Sequence, residues 1–281
     1  MAASPFTDTV FVLVHGAWHG SGQWAATRRA LAAQGAASRA VDLPGHGFDV
    51  PLPSGYLQPG QPGLATERSA LAGVTMDDSA EAVLDTLRQA RHHRRVVLVA
   101  HSAGGGPASL AAERAPGLVD EIVYLSAFVP AGRPRFFDYL GSPENATARG
   151  RSLTLGDPVE LGAVRINPLS QDPAYVEELR QTHYHDTPLD RFDRWRSALS
   201  PDLPLAIPAT PVVVTPGRWG RIPRTFLRCA DDRALPTAVQ DLMIAEADRA
   251  MPGDPFTVRT LPGSHSPFAA RPRELAAALL P

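Results

Sequence analysis

Short apolar runs alternate with longer segments rich in Ala, Leu and Arg along most of the chain. Each run has about five residues and is bounded by Gly, Pro or polar residues, which is typical of strands buried on both faces of a sheet. The pattern predicts six such strands: Val10–Val14, Ala37–Val41, Val96–Ala100, Ile122–Ser126, Thr225–Cys229 and Phe256–Leu261.

The segments between these runs have the composition of helices. Asp77 or Asp78 is expected to cap the second helix, and Pro107 suits the first turn of the third. Alternation of strands and helices predicts an α/β fold, with a mostly parallel six-stranded sheet and helices on both faces. The predicted helices are Trp24–Gln34, Asp77–Ala90, Pro107–Ala115, Pro236–Ala247 and Arg273–Leu280.

One long region interrupts the alternation. From Arg133 to Pro223 the chain shows no convincing strand and is broken by many prolines. An irregular insertion of this size between two strands is typical of a lid or cap. We therefore expect residues 1–132 and 222–281 to form the core and residues 133–221 to form a lid. The lid is expected to contain the short helices Pro173–Gln181 and Leu189–Ser200.

Charge and composition exclude several classes of protein. The 281 residues carry 27 basic and 29 acidic side chains, and the resulting net charge of -2 does not attract nucleic acid or an anionic membrane. The longest apolar runs are shorter than a membrane span or the core of a signal peptide. We expect a cytoplasmic protein with a small-molecule substrate and no nucleic-acid or membrane partner. The sequence leaves the oligomeric state open, with a homodimer as one option.

Two residue types restrict the chemistry. The single cysteine, Cys229, excludes an internal disulfide and a cysteine-rich zinc site. All 27 basic residues are Arg, which excludes a Schiff-base lysine and the lysine of a P-loop. No metal or organic cofactor is expected.

The strongest chemical signal is the segment 96–106, VVLVAHSAGGG. An apolar strand runs into Ser102 and a helix follows at Pro107, which is the context of a nucleophile elbow. Such a turn is strained, so the residues two before and two after the serine must be small, and here they are Ala100 and Gly104. We predict that Ser102 is the nucleophile; the alternative is a glycine-rich turn with an exposed serine.

The segment VHGAWHG, residues 14–20, follows the first predicted strand. Acyl transfer needs backbone N–H groups that face the developing oxyanion. Gly16 permits a close approach of the backbone, and we predict the amides of Ala17 and Ala103 as the two donors. His15 and His19 have no carboxylate or Cys partner at ligand spacing, so no metal is predicted there.

A catalytic serine needs a general base. His265 follows the last predicted strand, so it lies at the same carboxyl edge of the sheet as Ser102. His101 is too close in sequence to turn back onto Ser102. Asp231 and Asp232 follow the fifth predicted strand, and the chain order Ser, Asp, His is typical of this architecture. One of the two is expected to hold the tautomer of His265, and the other to be a helix cap or a solvated charge.

These segments together resemble the α/β-hydrolase superfamily, and within it the branch of plant methylesterases and hydroxynitrile lyases. The resemblance covers most of residues 10–130 and 222–280, and it implies the α/β-hydrolase fold with an inserted lid. It also places Asp232, rather than Asp231, on the acid of the triad. The matching segments are His15–Gly20 with Trp24, Asp42–Gly47, the Ser102 turn, Tyr124–Pro130, Asp232–Pro236 and Gly263–Phe268.

This branch carries out two chemistries, ester hydrolysis and cyanohydrin cleavage. The resemblance implies that a lyase has Thr after the oxyanion-loop His and Lys beside the catalytic His; this chain has Gly16 and Ser266 there. We therefore expect hydrolysis of a carboxylic ester or thioester of a small to medium apolar substrate, through an acyl-enzyme. The expected substrate contacts are Gly16, Trp18, Phe128, Tyr184 and Trp195.

Two other functions remain open, because the fold alone does not define the reaction. The same triad serves acyl transferases and cyclases of bacterial biosynthetic pathways, and the Arg-only, Ala-, Pro- and Gly-rich composition is typical of GC-rich bacterial genomes. A non-catalytic ligand-binding protein on the same fold is the third interpretation. A serine-directed phosphonate probe distinguishes it, since an inactive pocket does not react.

Overall fold

A computed structural model describes residues 6 and 8–280 of the chain. Six strands form one sheet with the order β2-β1-β3-β4-β7-β8, and every pairing between neighbours is parallel. The central strands are buried on both faces, whereas the edge strands β2 and β8 are largely accessible. The strands are β1 Thr9–Val14, β2 Ala37–Val41, β3 Arg95–His101, β4 Glu121–Leu125, β7 Arg224–Cys229 and β8 Thr257–Leu261, and two further strands, β5 Ala163–Arg165 and β6 Asp202–Pro204, pair outside this sheet.

Helices pack on both faces of the sheet because alternate side chains of each strand point to opposite faces. One apolar cluster lies between the sheet and α2, α3 and α9, and a second lies between the sheet and α1, α10 and α11. The helices are α1 Ala25–Ala33, α2 Met76–Ala90, α3 Gly105–Arg114, α4 Phe136–Leu140, α5 Pro158–Leu161, α6 Pro173–His183, α7 Leu189–Ser197, α8 Ala206–Ala209, α9 Thr237–Ala250, α10 Pro267–Ala270 and α11 Pro272–Leu279.

The six predicted sheet strands are confirmed, each within one residue of its predicted ends. The predicted cap of α2 is wrong. Thr75 is the N-cap: its Oγ1 accepts from the Asp78 amide at 3.0 Å, and the Asp78 carboxylate accepts from the Thr75 amide at 2.9 Å. Asp78 therefore takes part in a capping box, three residues inside the helix.

The segment between β4 and β7 contains a small antiparallel pair, β5 and β6, so the expectation of no strand there is wrong. Each strand has only three residues and β6 ends in Pro204, so neither produces a recognisable alternating pattern. We call residues 133–221 the insertion. Within the part of the chain that the structure describes, no helix has the length and hydropathy to cross a membrane.

A buried ion pair joins this small sheet to the long loop before α2. Both nitrogens on one edge of the Arg165 guanidinium donate to the Asp202 carboxylate, at 2.6 and 2.7 Å. The remaining Nη1 donates to the carbonyls of Leu64 and Glu67, both at 2.8 Å. Arg165 and Asp202 are almost completely buried, so the pair fixes the position of the insertion against the loop.

Candidate active site

Ser102 lies where β3 ends and the chain turns into α3. Its φ is 53°, in the left-handed region that is uncommon for non-glycine residues and that occurs often at functional sites. Two glycines make the turn possible. A β-carbon at Gly104 would lie 2.2 Å from the His15 carbonyl oxygen, and one at Gly105 would lie 2.0 Å from the Phe128 carbonyl oxygen. Only glycine therefore allows the backbone to pack this closely behind the serine.

His265 lies in the loop between β8 and α10, and its Nδ1–H donates to Oδ2 of Asp232 at 2.6 Å. Asp232 follows β7 and is almost fully buried. Its Oδ1 accepts from the amides of Ala234 and Leu235, each at 2.8 Å, and its Oδ2 also accepts from Ser126 Oγ at 2.5 Å. These bonds hold the carboxylate in place, and the carboxylate favours the tautomer of His265 that carries its proton on Nδ1.

The neighbouring carboxylate, Asp231, has a different set of contacts. Its Oδ2 accepts from the Gly263 amide at 3.0 Å, and its own amide donates to the Gly263 carbonyl at 3.1 Å. Its backbone carbonyl accepts from Nε2 of His185 at 2.9 Å. Asp231 thus joins the loops after β7 and β8 and connects them to the insertion. The structure brings Asp232, and not Asp231, to His265.

Ala17 and Ala103, the predicted oxyanion donors, line the same cavity as Ser102 and His265. Gly16, the residue before Ala17, packs very closely against His101 and Ser102. A β-carbon at position 16 would lie 2.7 Å from His101 Nδ1 and 2.8 Å from Ser102 Cβ. A side chain at position 16 would therefore displace either the oxyanion loop or the nucleophile.

The insertion holds the oxyanion loop in place. Trp18 has a φ of 61°, its indole N–H donates to the Val164 carbonyl of β5 at 2.9 Å, and its own carbonyl accepts from the Ser200 amide at 2.7 Å. His19 Nδ1–H donates to the carbonyl of Ala17 at 2.7 Å, and its Nε2 accepts from the Tyr184 hydroxyl at 2.6 Å. Three residues of the insertion thus fix a loop of the core.

The other buried histidines near the site serve as neutral hydrogen-bonding groups. Burial lowers the pKa of His15, whose Nε2 accepts from the Leu43 amide at 3.1 Å. Burial, together with the nearby imidazole of His265, lowers the pKa of His101, whose Nε2–H donates to the His265 carbonyl at 3.0 Å. Burial lowers the pKa of His19 to about 3. His101 therefore positions the catalytic loop instead of acting as a base, as its place beside Ser102 in sequence predicts.

Ser102 and His265 open into a cavity of about 240 Å³. Most of its wall is apolar and comes from the insertion, including Phe136, Phe137, Leu140, Leu153, Val164 and Leu203. No group of three His, Cys, Asp or Glu side chains in residues 6 and 8–280 is arranged to hold a metal ion.

The predicted substrate contacts separate into two groups. Trp18 lines the cavity, and Gly16 lies directly behind the nucleophile. Phe128 is fully buried, stacks on Phe136 with ring centroids 5.2 Å apart and does not line this cavity, so its contact with substrate stays a prediction. Trp195 packs on Phe268 at 5.5 Å and also lies outside this cavity, because it seals the insertion against the core.

Tyr184 is also completely buried, and its hydroxyl is used by His19. It lines a very small void beside the serine and not the main cavity, and its hydrogen bond to His19 supports the loop that carries Ala17, so its contact with substrate stays a prediction. Ser126 was missed as a site residue, and His183 was left open by the sequence, as a residue of the insertion that faces either substrate or solvent. Ser126 ends the predicted strand at the catalytic edge, which is the one sequence signal that could have found it. His183 lines the cavity, with its ring centroid 5.6 Å from that of His265.

Comparison with known proteins agrees with this geometry. The Alpha/beta hydrolase family matches residues 11–278, and the chain belongs to that family. A pyrethroid hydrolase from Sphingobium wenxiniae is 31% identical over 97% of this chain and 87% of its own length. Methylesterase 1 of Arabidopsis thaliana is 25% identical over 94% and 92%. By name, the first is a hydrolase and the second an esterase.

Solved structures are similar over nearly the whole chain. A pyrethroid hydrolase from Sphingobium faniae superposes with a TM-score of 0.76 at 28% identity, covering 96% of this chain and 95% of the other. Polyneuridine aldehyde esterase superposes with a TM-score of 0.72 at 21% identity, covering 97% and 98%, and shows the shared fold. The expected family and fold are thereby confirmed.

Proposed function

We propose that this protein is a serine hydrolase that cleaves carboxylic esters through an acyl-enzyme on Ser102. The observation that carries the proposal is that His265, hydrogen-bonded to Asp232, lines one cavity together with the strained Ser102. The named relatives support the class of reaction, since both a pyrethroid hydrolase and plant methylesterases hydrolyse esters.

In the acylation step, Nε2 of His265 accepts the proton of Ser102 Oγ as that oxygen attacks the carbonyl carbon of the ester. The negative charge that forms on the carbonyl oxygen is stabilised by the amides of Ala17 and Ala103, and removal of one such donor costs about 3 kcal/mol in comparable enzymes. The Asp232 carboxylate stabilises the imidazolium and holds its orientation.

Collapse of the tetrahedral intermediate then releases the alcohol, to which His265 returns the proton. Water enters, His265 takes one of its protons, and the resulting attack on the acyl-enzyme releases the carboxylic acid and restores Ser102. An alcohol or amine acceptor would use the same acyl-enzyme. Product analysis with and without an added alcohol separates hydrolysis from acyl transfer.

Hydrolysis, and not cyanohydrin cleavage, is the proposed reaction because of two residues. Gly16 leaves the space in front of the Ala17 amide open, whereas a side chain there would meet Ser102 at 2.8 Å. The position after His265 is Ser266, and the chain contains no lysine to receive cyanide. The absence of mandelonitrile cleavage by the wild-type protein is therefore expected.

The substrate is proposed to be small to medium in size and mostly apolar. The cavity volume of about 240 Å³ and the aromatic and aliphatic side chains of its wall support this class. We further propose that residues 133–221 act as the lid, because they supply most of this wall and also contact the oxyanion loop.

Hydrolysis of 4-nitrophenyl esters of increasing acyl length by wild type and Ser102→Ala tests the proposal. We expect Ser102→Ala to lose at least about 10³-fold in kcat, because it has no nucleophile, while its thermal unfolding stays close to that of wild type. Retention of near-wild-type activity in a preparation free of contaminating esterase would contradict the assignment of Ser102.

A further inference from the structure

In the part of the chain that the structure describes, the cavity above Ser102 is lined by basic side chains but not by acidic ones. Its lining includes two arginines, Arg149 and Arg151, and among the described residues that line it there is neither Asp nor Glu. Since an apolar ester needs no cation for binding, an arginine here without an acidic partner indicates a feature of the substrate that an entirely apolar molecule does not have.

The two ends of the cavity differ in exposure. Ser102 and His265 are 8% and 3% exposed and form the buried end. Phe137 is 40% exposed and, with the exposed residues Arg149 and Arg151, lies at the mouth. A bound substrate therefore places its ester at the buried end, and its far end extends along the apolar wall toward the arginines.

Only one of these arginines has a partner in the protein. Arg149 forms an ion pair with Glu178, whose Oε1 also accepts from the Gly150 amide at 3.0 Å. That carboxylate neutralises Arg149 and anchors the turn, in which Gly150 has a φ of 89°. Arg151, the next residue, has no ion pair and no side-chain hydrogen bond among the residues that the structure describes. Its guanidinium is free to bind a ligand.

We propose that the preferred substrate is a half-ester: an ester whose acyl part ends in a carboxylate that Arg151 binds. This inference rests on the proposed ester hydrolysis and adds a second recognition point to it. A planar guanidinium binds a carboxylate through two parallel hydrogen bonds, so Arg151 selects both for charge and for the distance between the ester and the acid.

The test compares two series of methyl esters: the monomethyl esters of straight-chain dicarboxylic acids from succinate to sebacate, and the methyl esters of the fatty acids of matching length. We expect wild type to favour the half-ester at one intermediate length. This advantage in kcat/KM is expected to be about five- to tenfold and to fall as the salt concentration rises.

Three variants make the test specific. Arg151→Gln is expected to abolish the preference of kcat/KM for half-ester over neutral ester, and Arg151→Lys to restore part of it without the sharp optimum in length. Arg191→Gln is the matched control, because Arg191 is an exposed arginine of α7 that does not line the cavity, and it is expected to keep the preference.

The outcomes separate the two proposals. A wild-type enzyme that hydrolyses the neutral esters equally well or better, or a preference that survives in Arg151→Gln, would overturn the role of Arg151 and leave the esterase function intact. Hydrolysis of neither series, nor of the 4-nitrophenyl esters, would instead overturn the proposed ester hydrolysis.

Discussion

The sheet core and the insertion make different contributions to one site. The core supplies all the groups that we propose to react: Ser102 after β3, Asp232 after β7 and His265 after β8, with the Ala17 amide after β1. The insertion supplies most of the cavity wall and the arginines at the mouth. In the proposed mechanism the parallel sheet carries the chemistry, because its strand ends converge on one edge, and the insertion shapes the space for the substrate.

The boundary between the two regions is not a simple hinge. Trp18 and His19 belong to the core but are held by Val164, Ser200 and Tyr184 of the insertion. The insertion therefore also supports the oxyanion loop, and large movements of it would disturb that loop. Substitutions in the core are expected to change kcat strongly, and substitutions at this boundary to change it moderately.

The largest effect is expected at the acid. Asp232→Asn is expected to lower kcat by about 10⁴-fold, because an amide no longer fixes the tautomer of His265 or stabilises its cation. Asp231→Asn is the matched control and is expected to cost less than about tenfold, since the Asp231 carboxylate accepts from the Gly263 amide and not from His265. Steady-state kinetics of both variants measures the difference, and the reverse ranking would move the acid to Asp231.

The next largest effect is expected at Gly16, where the backbone passes close to Ser102. Gly16→Ala, and more strongly Gly16→Thr, is expected to lower kcat by on the order of 10²-fold, because the added carbon crowds Ser102 and displaces the oxyanion loop. Gly22→Ala, three residues after the loop, is the control, since an added β-carbon there meets no atom within 4 Å. Equal kcat values for Gly16→Ala and wild type would show that the oxyanion loop is not where we place it.

A smaller effect is expected where the insertion supports the core. Tyr184→Phe removes the hydroxyl that donates to Nε2 of His19, and we expect kcat to fall several-fold. Tyr175→Phe is the control, because it removes a hydroxyl of the insertion that donates to the Leu153 carbonyl at 2.6 Å and not to His19. Each substitution is expected to lower the free energy of unfolding by about 1 kcal/mol. If both variants keep wild-type kcat, the insertion does not support the oxyanion loop.

The last prediction concerns stability instead of kcat: the free energy of unfolding is expected to depend on pH. The pKa values of His15, His101 and His19 are lowered in the folded protein. As the pH falls, these imidazoles are therefore protonated at a higher pH in the unfolded chain than in the folded one. The unfolded chain then binds more protons below about pH 6.5, and the free energy of unfolding falls as pH falls toward 3. Thermal unfolding between pH 8 and 4 measures this. A melting temperature that rises on acidification would contradict the neutral state of these histidines.

The sequence predicted the core well because its signals are local. A parallel strand buried on both faces is a continuous apolar run, and the Ser102 turn is marked by the small residues that its geometry needs. The choice of Asp232 over Asp231 came from the resemblance to the family, because two adjacent aspartates have the same side chain and nearly the same place in the sequence. Only the hydrogen bonds to Ser126, Ala234 and Leu235 distinguish them in space.

The insertion was predicted less well because its order comes from contacts distant in sequence. The strands β5 and β6 are short and depend on Arg165 and Asp202, which are far apart in the chain. Aromatic residues fill both the core and the cavity wall, so nothing in the sequence separated Phe128 and Trp195, which pack, from Phe137, which lines the cavity.

The central claim, that the core carries the chemistry through Ser102, is tested most directly by covalent labelling. The protein is treated with a small fluorophosphonate, and the adduct is located by peptide mass spectrometry. We expect one adduct per chain, on the peptide that contains Ser102, with labelling abolished in Ser102→Ala and greatly slowed in Asp232→Asn. An active protein that takes up no label, or takes it up on a different residue, would contradict the claim.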